Sequence, residues 1–171
     1  MSSYGKVSLN FNLPKSLWTA KDSARLASDT LAAIKLRTTK GIDANGQPFD
    51  GYSTEPIYVA RRGARLTPKG GEPTPSGKSV YYEGGYRQYK HDSRRRSVLA
   101  GTAEVDLTLS GNMMNNLVVT GATTEGFTIG LTQHAGYGYY VNEKREFLGL
   151  SPADVDMVVE AARIELEKKI K

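Results

Sequence analysis

The stretch 145–154 constrains the fold most, because it fixes where the last helix of the chain begins. Ser151 is a favourable N-cap, and Pro152 suits the first helical position. Asp154 follows the cap by three residues, so the pair resembles a capping box with Asp in place of Glu. The charge of Asp154 also suits the N-terminal end of a helix. We therefore predict a C-terminal helix over about 152–170 that is capped by Ser151.

Apolar residues beside turns are predicted to hold those turns against the core. Phe147 and Leu150 belong to the turn before the last helix, and both are too apolar to remain in water. Phe49 follows Asn-Gly at 45–46, which is a strong signal for a two-residue turn. The predicted structural anchors are Phe49, Phe147, Leu150 and Ser151.

Two apolar stripes predict a helix at each end of the chain. An Ala-rich stripe with spacings of three and four predicts a helix over about 15–40, ended by Gly41. The members of this first stripe are Leu17, Ala20, Ala24, Ala27, Leu31 and Ile34. The stripe of the C-terminal helix consists of Val155, Val158, Val159, Ala162 and Leu166.

Alternation of apolar and polar residues predicts the strands. Residues 6–12 alternate cleanly and Pro14 ends the pattern, so 1–14 is predicted to be an N-terminal strand or arm. The runs that start at Val118 and Phe127 are expected to form an antiparallel hairpin. We predict an α+β fold for a single domain over 1–171. It has a small antiparallel sheet flanked by an N-terminal and a C-terminal amphipathic helix, with a long basic loop or hairpin insertion.

Residues 61–96 form that predicted insertion, because they are rich in Gly and Pro and poor in core-type apolar residues. Such a composition buries too little apolar surface to fold alone. We predict an extended loop, or a hairpin whose arms are 78–82 and 86–89. A loop of this length in a compact domain is usually functional or mobile.

The distribution of charge points to an electrostatic partner for the insertion. Residues 55–96 carry ten Lys or Arg against four Asp or Glu, whereas residues 97–171 carry six against ten. A basic segment with tyrosines suits a protein interface, a single-stranded nucleic-acid groove or a solvated loop. A subunit interface is the favoured alternative, and the predicted interface and assembly residues are Tyr81, Tyr82, Tyr86, Tyr89, Arg94, Arg95 and Arg96.

Catalytic chemistry finds little support in the sequence. The chain has no Cys, which excludes disulfides and thiolate catalysis, and its two histidines are His91 and His134. No nucleophile elbow, Walker-type phosphate loop or His-Glu-x-x-His motif occurs. Asp43 and Asn45 could begin a calcium loop, but the downstream Glu of an EF-hand is missing. We predict no enzyme activity, cofactor, metal site or membrane span, and no signal peptide is visible.

Several segments occur together in an order that carries a resemblance. An Ala-rich amphipathic helix precedes KGIDANGQPF at 40–49 and Tyr-Ser at 52–53. LTLSGNMMNNL at 107–117, the strand at 127–131 and REFLGLS at 145–151 follow. This set resembles the virion morphogenesis family of tailed bacteriophages, which includes tail-completion and head–tail joining proteins. The resemblance covers about 15–60 and 103–170, and leaves out the 7–11 arm and the 61–96 insertion.

The resemblance implies a structural virion protein without catalytic residues. It implies an α+β subunit that forms a ring at the head–tail neck, connecting the capsid connector to the tail. Its expected partners are other copies of itself, adjacent neck, portal-side or tail proteins, and DNA passing through the channel. The expected location is the neck or the top of the tail, after assembly in the host cytoplasm. The alternatives are a tail terminator ring and a basic DNA-binding module that contacts DNA through Arg94–Arg96.

Overall fold

Two antiparallel three-stranded sheets and five helices make up the described part of this α+β fold. The computed structural model describes residues 6–14, 16–64, 66–94, 105–132 and 136–170. The strands are β1 Lys6–Asn10, β2 Ile57–Ala60, β3 Glu72–Pro73, β4 Ser79–Tyr82, β5 Leu117–Thr123 and β6 Gly126–Leu131. The helices are α1 Ala20–Thr39, α2 Gly85–Ser93, α3 Asn112–Asn115, α4 Gly138–Lys144 and α5 Pro152–Ile170. Within the described ranges, no helix has both the length and the apolar character that a membrane span requires.

The main sheet has the order β1-β6-β5 and forms one wall of the larger hydrophobic core. The alternation in β1 directs Val7 and Leu9 toward this core, opposite Ile129 and Phe127 of β6. The predicted hairpin is present as β5 and β6, which pair in antiparallel fashion. Gly126 is required at its turn, because a Cβ there would lie 2.0 Å from the Leu9 carbonyl oxygen. This close approach lets β1 pair with β6 along its whole length.

Helix α1 packs on the main sheet, with a buried face that differs in part from the predicted stripe. Ala27 and Ile34 are buried as predicted, but Ala20 is exposed and Leu26 is buried in addition. Thr30 is also fully buried, because its hydroxyl donates to the Leu26 carbonyl oxygen at 2.7 Å. A bonded hydroxyl costs little to bury. The buried face therefore includes polar positions that an apolar pattern does not reveal.

Helix α5 begins as the sequence predicts. The Ser151 backbone N–H donates to Asp154 Oδ2 at 2.9 Å, and the Asp154 N–H donates to Ser151 Oγ at 3.2 Å. This reciprocal pair confirms the capping box. Phe147 is fully buried, and Leu150 packs against the same core.

The predicted stripe of α5 is wrong at two of its five positions. Val158 is buried, and Ala162 and Leu166 pack on the core, but Val155 and Val159 are 40% and 61% exposed. The core covers a narrower arc of the helix than the apolar residues occupy. An apolar face of α5 therefore remains in contact with water.

The extended-loop prediction for 61–96 is wrong over the described residues. Strands β2, β4 and β3 form a second sheet in that order, and α2 packs against β4. The predicted hairpin arm at 86–89 lies inside α2. Val80, Tyr82 and Tyr89 are buried together in a second hydrophobic cluster, called the small cluster below. The composition of this segment underestimates the apolar surface that it buries, because its tyrosines serve as core residues.

Hydrogen bonds allow those tyrosines to be buried. The Tyr82 hydroxyl donates to the Lys69 carbonyl oxygen at 2.6 Å, and the Tyr89 hydroxyl donates to that of Leu66 at 3.1 Å. Helix α2 lies so close to 53–55 that a Cβ on Gly85, whose φ is +66°, would be 2.4 Å from the Glu55 carbonyl oxygen. The two hydroxyl bonds thus fix the loop between β2 and β4 to the small cluster, and α2 packs closely against the segment that precedes β2.

A buried arginine connects α1 to the turn before α5. Arg37 Nη2 donates to the carbonyl oxygens of Phe147 at 3.1 Å and Gly149 at 2.8 Å. Its Nε lies 2.9 Å from Asp154 Oδ2, and both side chains are about nine-tenths buried. The capping residue Asp154 therefore also balances the charge of Arg37.

Candidate functional site

A buried ion-pair cluster lies between the main core and the small cluster. Lys90 Nζ on α2 is 2.5 Å from Asp106 Oδ1 and donates to the Tyr52 hydroxyl at 2.6 Å. Arg94 Nη1 is 2.5 Å from the other carboxylate oxygen of Asp106. The Thr108 backbone N–H also donates to Asp106 Oδ1 at 3.0 Å. Two cations and a backbone donor thus surround one carboxylate that is fully buried.

The burial of this cluster changes the acid–base properties of two members. Burial raises the pKa of Tyr52, and the nearby charge of Asp106 raises it further. Burial lowers the pKa of Lys90, while its bond to Asp106 opposes that change. The phenol of Tyr52 therefore stays protonated at neutral pH and is a poor nucleophile. The cluster is suited to joining α2 to the segment 105–108, which enters the main core.

An open cavity of about 560 Å³ lies beside the cluster. Tyr52, Tyr86, Leu109, Met113 and Arg145 are among the residues that line it. The Arg145 guanidinium donates to the carbonyl oxygens of residues 50 and 51 at 3.1 and 2.7 Å, and lies 5.1 Å from the centre of the Tyr52 ring. Its hydrogen bonds thus support the cavity wall, and no nucleophile–base pair is formed by the lining residues named here.

The outward side of the small sheet carries an exposed aromatic pair. Tyr58 is 70% exposed, and its ring centre lies 5.0 Å from that of Tyr81 on the adjacent strand. Glu72 stands opposite Tyr81 on β3. We call these three residues the tyrosine face.

Three exposed cations lie beside the tyrosine face, at one end of β2 and β4. They are Arg61, Arg62 and Lys78, and the Arg61 backbone N–H donates to the Lys78 carbonyl oxygen.

The N-terminal half of α5 presents a second exposed surface. Val155 and Val159 are separated by one helical turn, and Asp156 and Glu160 stand directly after them. Glu160 forms an ion pair with Arg163 on the same helix at 2.6 Å. We call the four residues 155, 156, 159 and 160 the valine face. It combines exposed apolar surface with negative charge.

The structure separates the predicted interface residues into different environments. Tyr82 and Tyr89 are only 0% and 5% exposed, so the prediction that they form an interface is wrong. Tyr86 lines the cavity, and Arg94 pairs with Asp106. Tyr81 alone among the four tyrosines lies on the tyrosine face, and the predicted Arg95 and Arg96 lie outside the described residues.

Sequence reasoning missed the residues that define these sites. Asp106 interrupts an apolar run at 105–109, and a charge in such a run is a signal of a buried pair. Tyr58 occupies the outward position of an alternating strand, which predicts its exposure. Lys90 and Arg37 carry no such local signal, because their partners are distant in the sequence.

The described residues include no cluster of three His, Cys, Asp or Glu side chains placed to hold a metal ion. Asp43, a possible calcium ligand from the sequence, accepts hydrogen bonds from the backbone of its own loop. Its Oδ1 accepts hydrogen bonds from the backbone N–H groups of Asn45 at 2.8 Å and Gln47 at 2.7 Å. The 43–47 turn is thus held by an Asp side chain in a common turn geometry.

Comparison of the chain with protein-family models, curated proteins and solved structures finds no match in any of the three.

Proposed function

We propose that this chain is a structural subunit of a tailed-bacteriophage virion, and that it forms a ring at the head–tail neck connecting the capsid connector to the tail. The ring is built from copies of the chain and contacts neighbouring neck, portal-side or tail proteins. The subunit has a structural role and catalyses no reaction in the virion.

The observation that carries this proposal is the mutual packing of the segments that carry the resemblance. The Ala44 N–H in 40–49 donates to the Glu146 carbonyl oxygen in 145–151 at 2.7 Å. Arg37, at the end of the Ala-rich helix, donates to carbonyl oxygens in the same 145–151 turn. Segments that are far apart in the sequence thus meet in one junction. Their contact supports the view that they form a single family pattern.

Exposed surface gives independent support for assembly. The tyrosine face and the valine face lie on different elements, and the cations beside the first contrast with the carboxylates of the second, so each suits a different surface of a neighbour. A contact between two different surfaces of the same protein generates a closed ring or an open filament, whereas a patch that binds its own copy generates a dimer. Tyrosine and arginine are also enriched at protein interfaces.

The mass of the purified protein, measured by native mass spectrometry, tests the proposal. We expect a discrete oligomer larger than a dimer, and we expect the chain in purified virions at the copy number of that oligomer. A protein that is monomeric at all concentrations and absent from virions would contradict the proposal. Labelling of virions with an antibody against the chain would separate a neck ring from a tail terminator ring.

A DNA-binding module is the second candidate, favoured by the exposed cations beside the tyrosine face. Of the three arginines predicted to contact DNA, Arg94 is paired with Asp106, and Arg95 and Arg96 lie outside the described residues. Among the described residues, this role falls to Arg61, Arg62 and Lys78. Binding through several phosphates predicts that the logarithm of the DNA affinity falls with the logarithm of salt, with a slope of about −0.9 per phosphate. A slope near zero would contradict direct DNA binding.

A further inference from the structure

We propose that the tyrosine face of one copy docks on the valine face of the next copy, so that a repeated contact between the small sheet and α5 builds the assembly. The inference rests on the proposed function, because it specifies how neighbouring subunits meet. It assigns a partner to two surfaces that remain exposed in the single subunit.

The apolar parts of the two faces match in size and spacing. The Tyr58 and Tyr81 ring centres are 5.0 Å apart. Val155 and Val159 are four residues apart on a helix, which corresponds to about 6 Å along its axis. Each valine can therefore contact one ring of the aromatic pair. Because Tyr58 and Val159 are 70% and 61% exposed, contact between copies would bury apolar surface that water now covers.

The charges of the two faces are complementary. Arg61, Arg62 and Lys78 lie at one end of the tyrosine face, while Asp156 and Glu160 border the valines. Opposite charges at the edge of an interface steer association and fix the orientation of the partners. The match predicts one orientation of the small sheet across α5.

A protein partner fits the tyrosine face better than a nucleic acid does. Glu72 stands opposite Tyr81 on the same face, so a carboxylate lies beside the aromatic pair. A phosphate backbone would be repelled at that position. The valine face also carries carboxylates, but Asp156 and Glu160 lie on one side of the valines only. Its helix can therefore turn them toward the cations at the end of β2 and β4 and leave Glu72 at another edge of the contact.

Engineered disulfides test the contact directly, because the chain has no native Cys to interfere. We expect Tyr58→Cys combined with Val159→Cys to give, under oxidation, a ladder of covalent multimers that reduction returns to monomers. Each single variant has one thiol, so it cannot form a covalent species larger than a dimer. Efficient dimers from Val159→Cys alone would indicate that two α5 helices meet, and would overturn the proposal. A double variant that forms no more multimers than the single variants would overturn it as well.

A charge exchange tests the orientation. Arg62→Glu should weaken association by about tenfold, and adding Asp156→Arg should restore it, since the pair is then reversed. Asp156 is chosen because reversing Glu160 would also break its pair with Arg163. The matched control is Lys21→Glu, which makes the same charge change on the exposed side of α1 and should leave association unchanged. Failure of Asp156→Arg to rescue Arg62→Glu would overturn the orientation.

These outcomes separate the contact from the proposed function. If the protein forms a discrete ring that neither the cysteine pair nor the charge exchange affects, the contact is wrong and the ring proposal stands. If the protein remains monomeric at every concentration and is absent from virions, the ring proposal fails and the contact fails with it. If Arg62→Glu abolishes DNA binding but leaves the oligomer unchanged, the tyrosine face is a nucleic-acid surface and the contact is overturned.

Discussion

Asp22 gives the first turn of α1 a hydrogen-bonded end and a link to α5. Its carboxylate accepts from the Thr19 backbone N–H at 2.8 Å and from the Thr19 hydroxyl at 2.6 Å. Lys169 of α5 also forms an ion pair with it. One carboxylate therefore caps α1 and connects it to the far end of the last helix.

The pKa of Asp22 predicts a pH dependence of stability. Partial burial alone would raise this pKa, but the hydrogen bonds from Lys169 and Thr19 outweigh it and lower the pKa from 3.8 to about 2. A lowered acid pKa contributes stability that is present above the unfolded value and is lost as pH falls through the folded value. We therefore expect the Tm of the wild type to fall between about pH 4 and pH 2 in part because of Asp22.

Asp22→Asn should reduce that fall in Tm, as measured by circular dichroism over the same pH range. Asp29→Asn is the matched control, since Asp29 is an exposed carboxylate on the same helix. An identical pH profile for wild type and Asp22→Asn would show that the contacts of Asp22 with Thr19 and Lys169 do not contribute to the pH dependence of stability.

Single residues were predictable where their partners are near in the sequence. Ser151 and Asp154 are three residues apart, so spacing alone predicted their reciprocal bonds. Arg37 and Asp154 meet only after α1 and α5 have packed together. Residue type and spacing contain no information on such a distant partner, so the burial of Arg37 could not be predicted.

Strand β4 shows why the two sides of one element have different roles. Tyr81 and Tyr82 are neighbours in the sequence but point to opposite sides of the small sheet, because side chains alternate along a strand. Tyr82 is fully buried between the sheet and α2, whereas Tyr81 contacts Tyr58 on the outward side. Both tyrosines were predicted to be interface residues, because amino-acid composition does not show which side of the sheet a side chain faces.

Truncation of these two tyrosines should have opposite effects on folding and association. Tyr82→Ala should destabilise the fold by about 3–5 kcal/mol, as expected for a large buried aromatic side chain. Tyr81→Ala should cost less than about 1 kcal/mol, because its side chain is partly exposed. Urea denaturation monitored by fluorescence measures both, and sedimentation velocity should show weaker association for Tyr81→Ala. Equal destabilisation by the two changes would contradict the burial difference.

The folded protein depends on an ion-pair link between its two hydrophobic clusters. Lys90 and Arg94 come from the segment that was predicted to be a loop, and Asp106 leads into the main core. Removing one partner of a buried ion pair typically costs about 3–5 kcal/mol, a large part of the stability of a small protein. The segment 61–94 is therefore part of the folded protein over its described residues.

Deletion of 63–93 should destabilise the protein rather than leave its fold intact. The deletion removes the small cluster and leaves Asp106 without Lys90. We expect a Tm well below that of the wild type and loss of the near-ultraviolet dichroism of buried tyrosines. Lys90→Met in the full chain serves as the matched variant, since it removes the ion pair and keeps the segment. A deleted protein with the Tm of the wild type would mean that the segment is dispensable for folding.

The pairing of β1 with β6 also determines when the chain can fold. Ser8 and Thr128 face each other in the main sheet although 120 residues separate them. At a synthesis rate of about 5–20 residues per second, β1 leaves the ribosome roughly 6–24 s before its partner strand. During this interval Val7 and Leu9 lack their native partners, so β1 is open to chaperones and to wrong pairing with other nascent chains. The pace of translation thus sets the earliest time at which a copy can complete its main sheet.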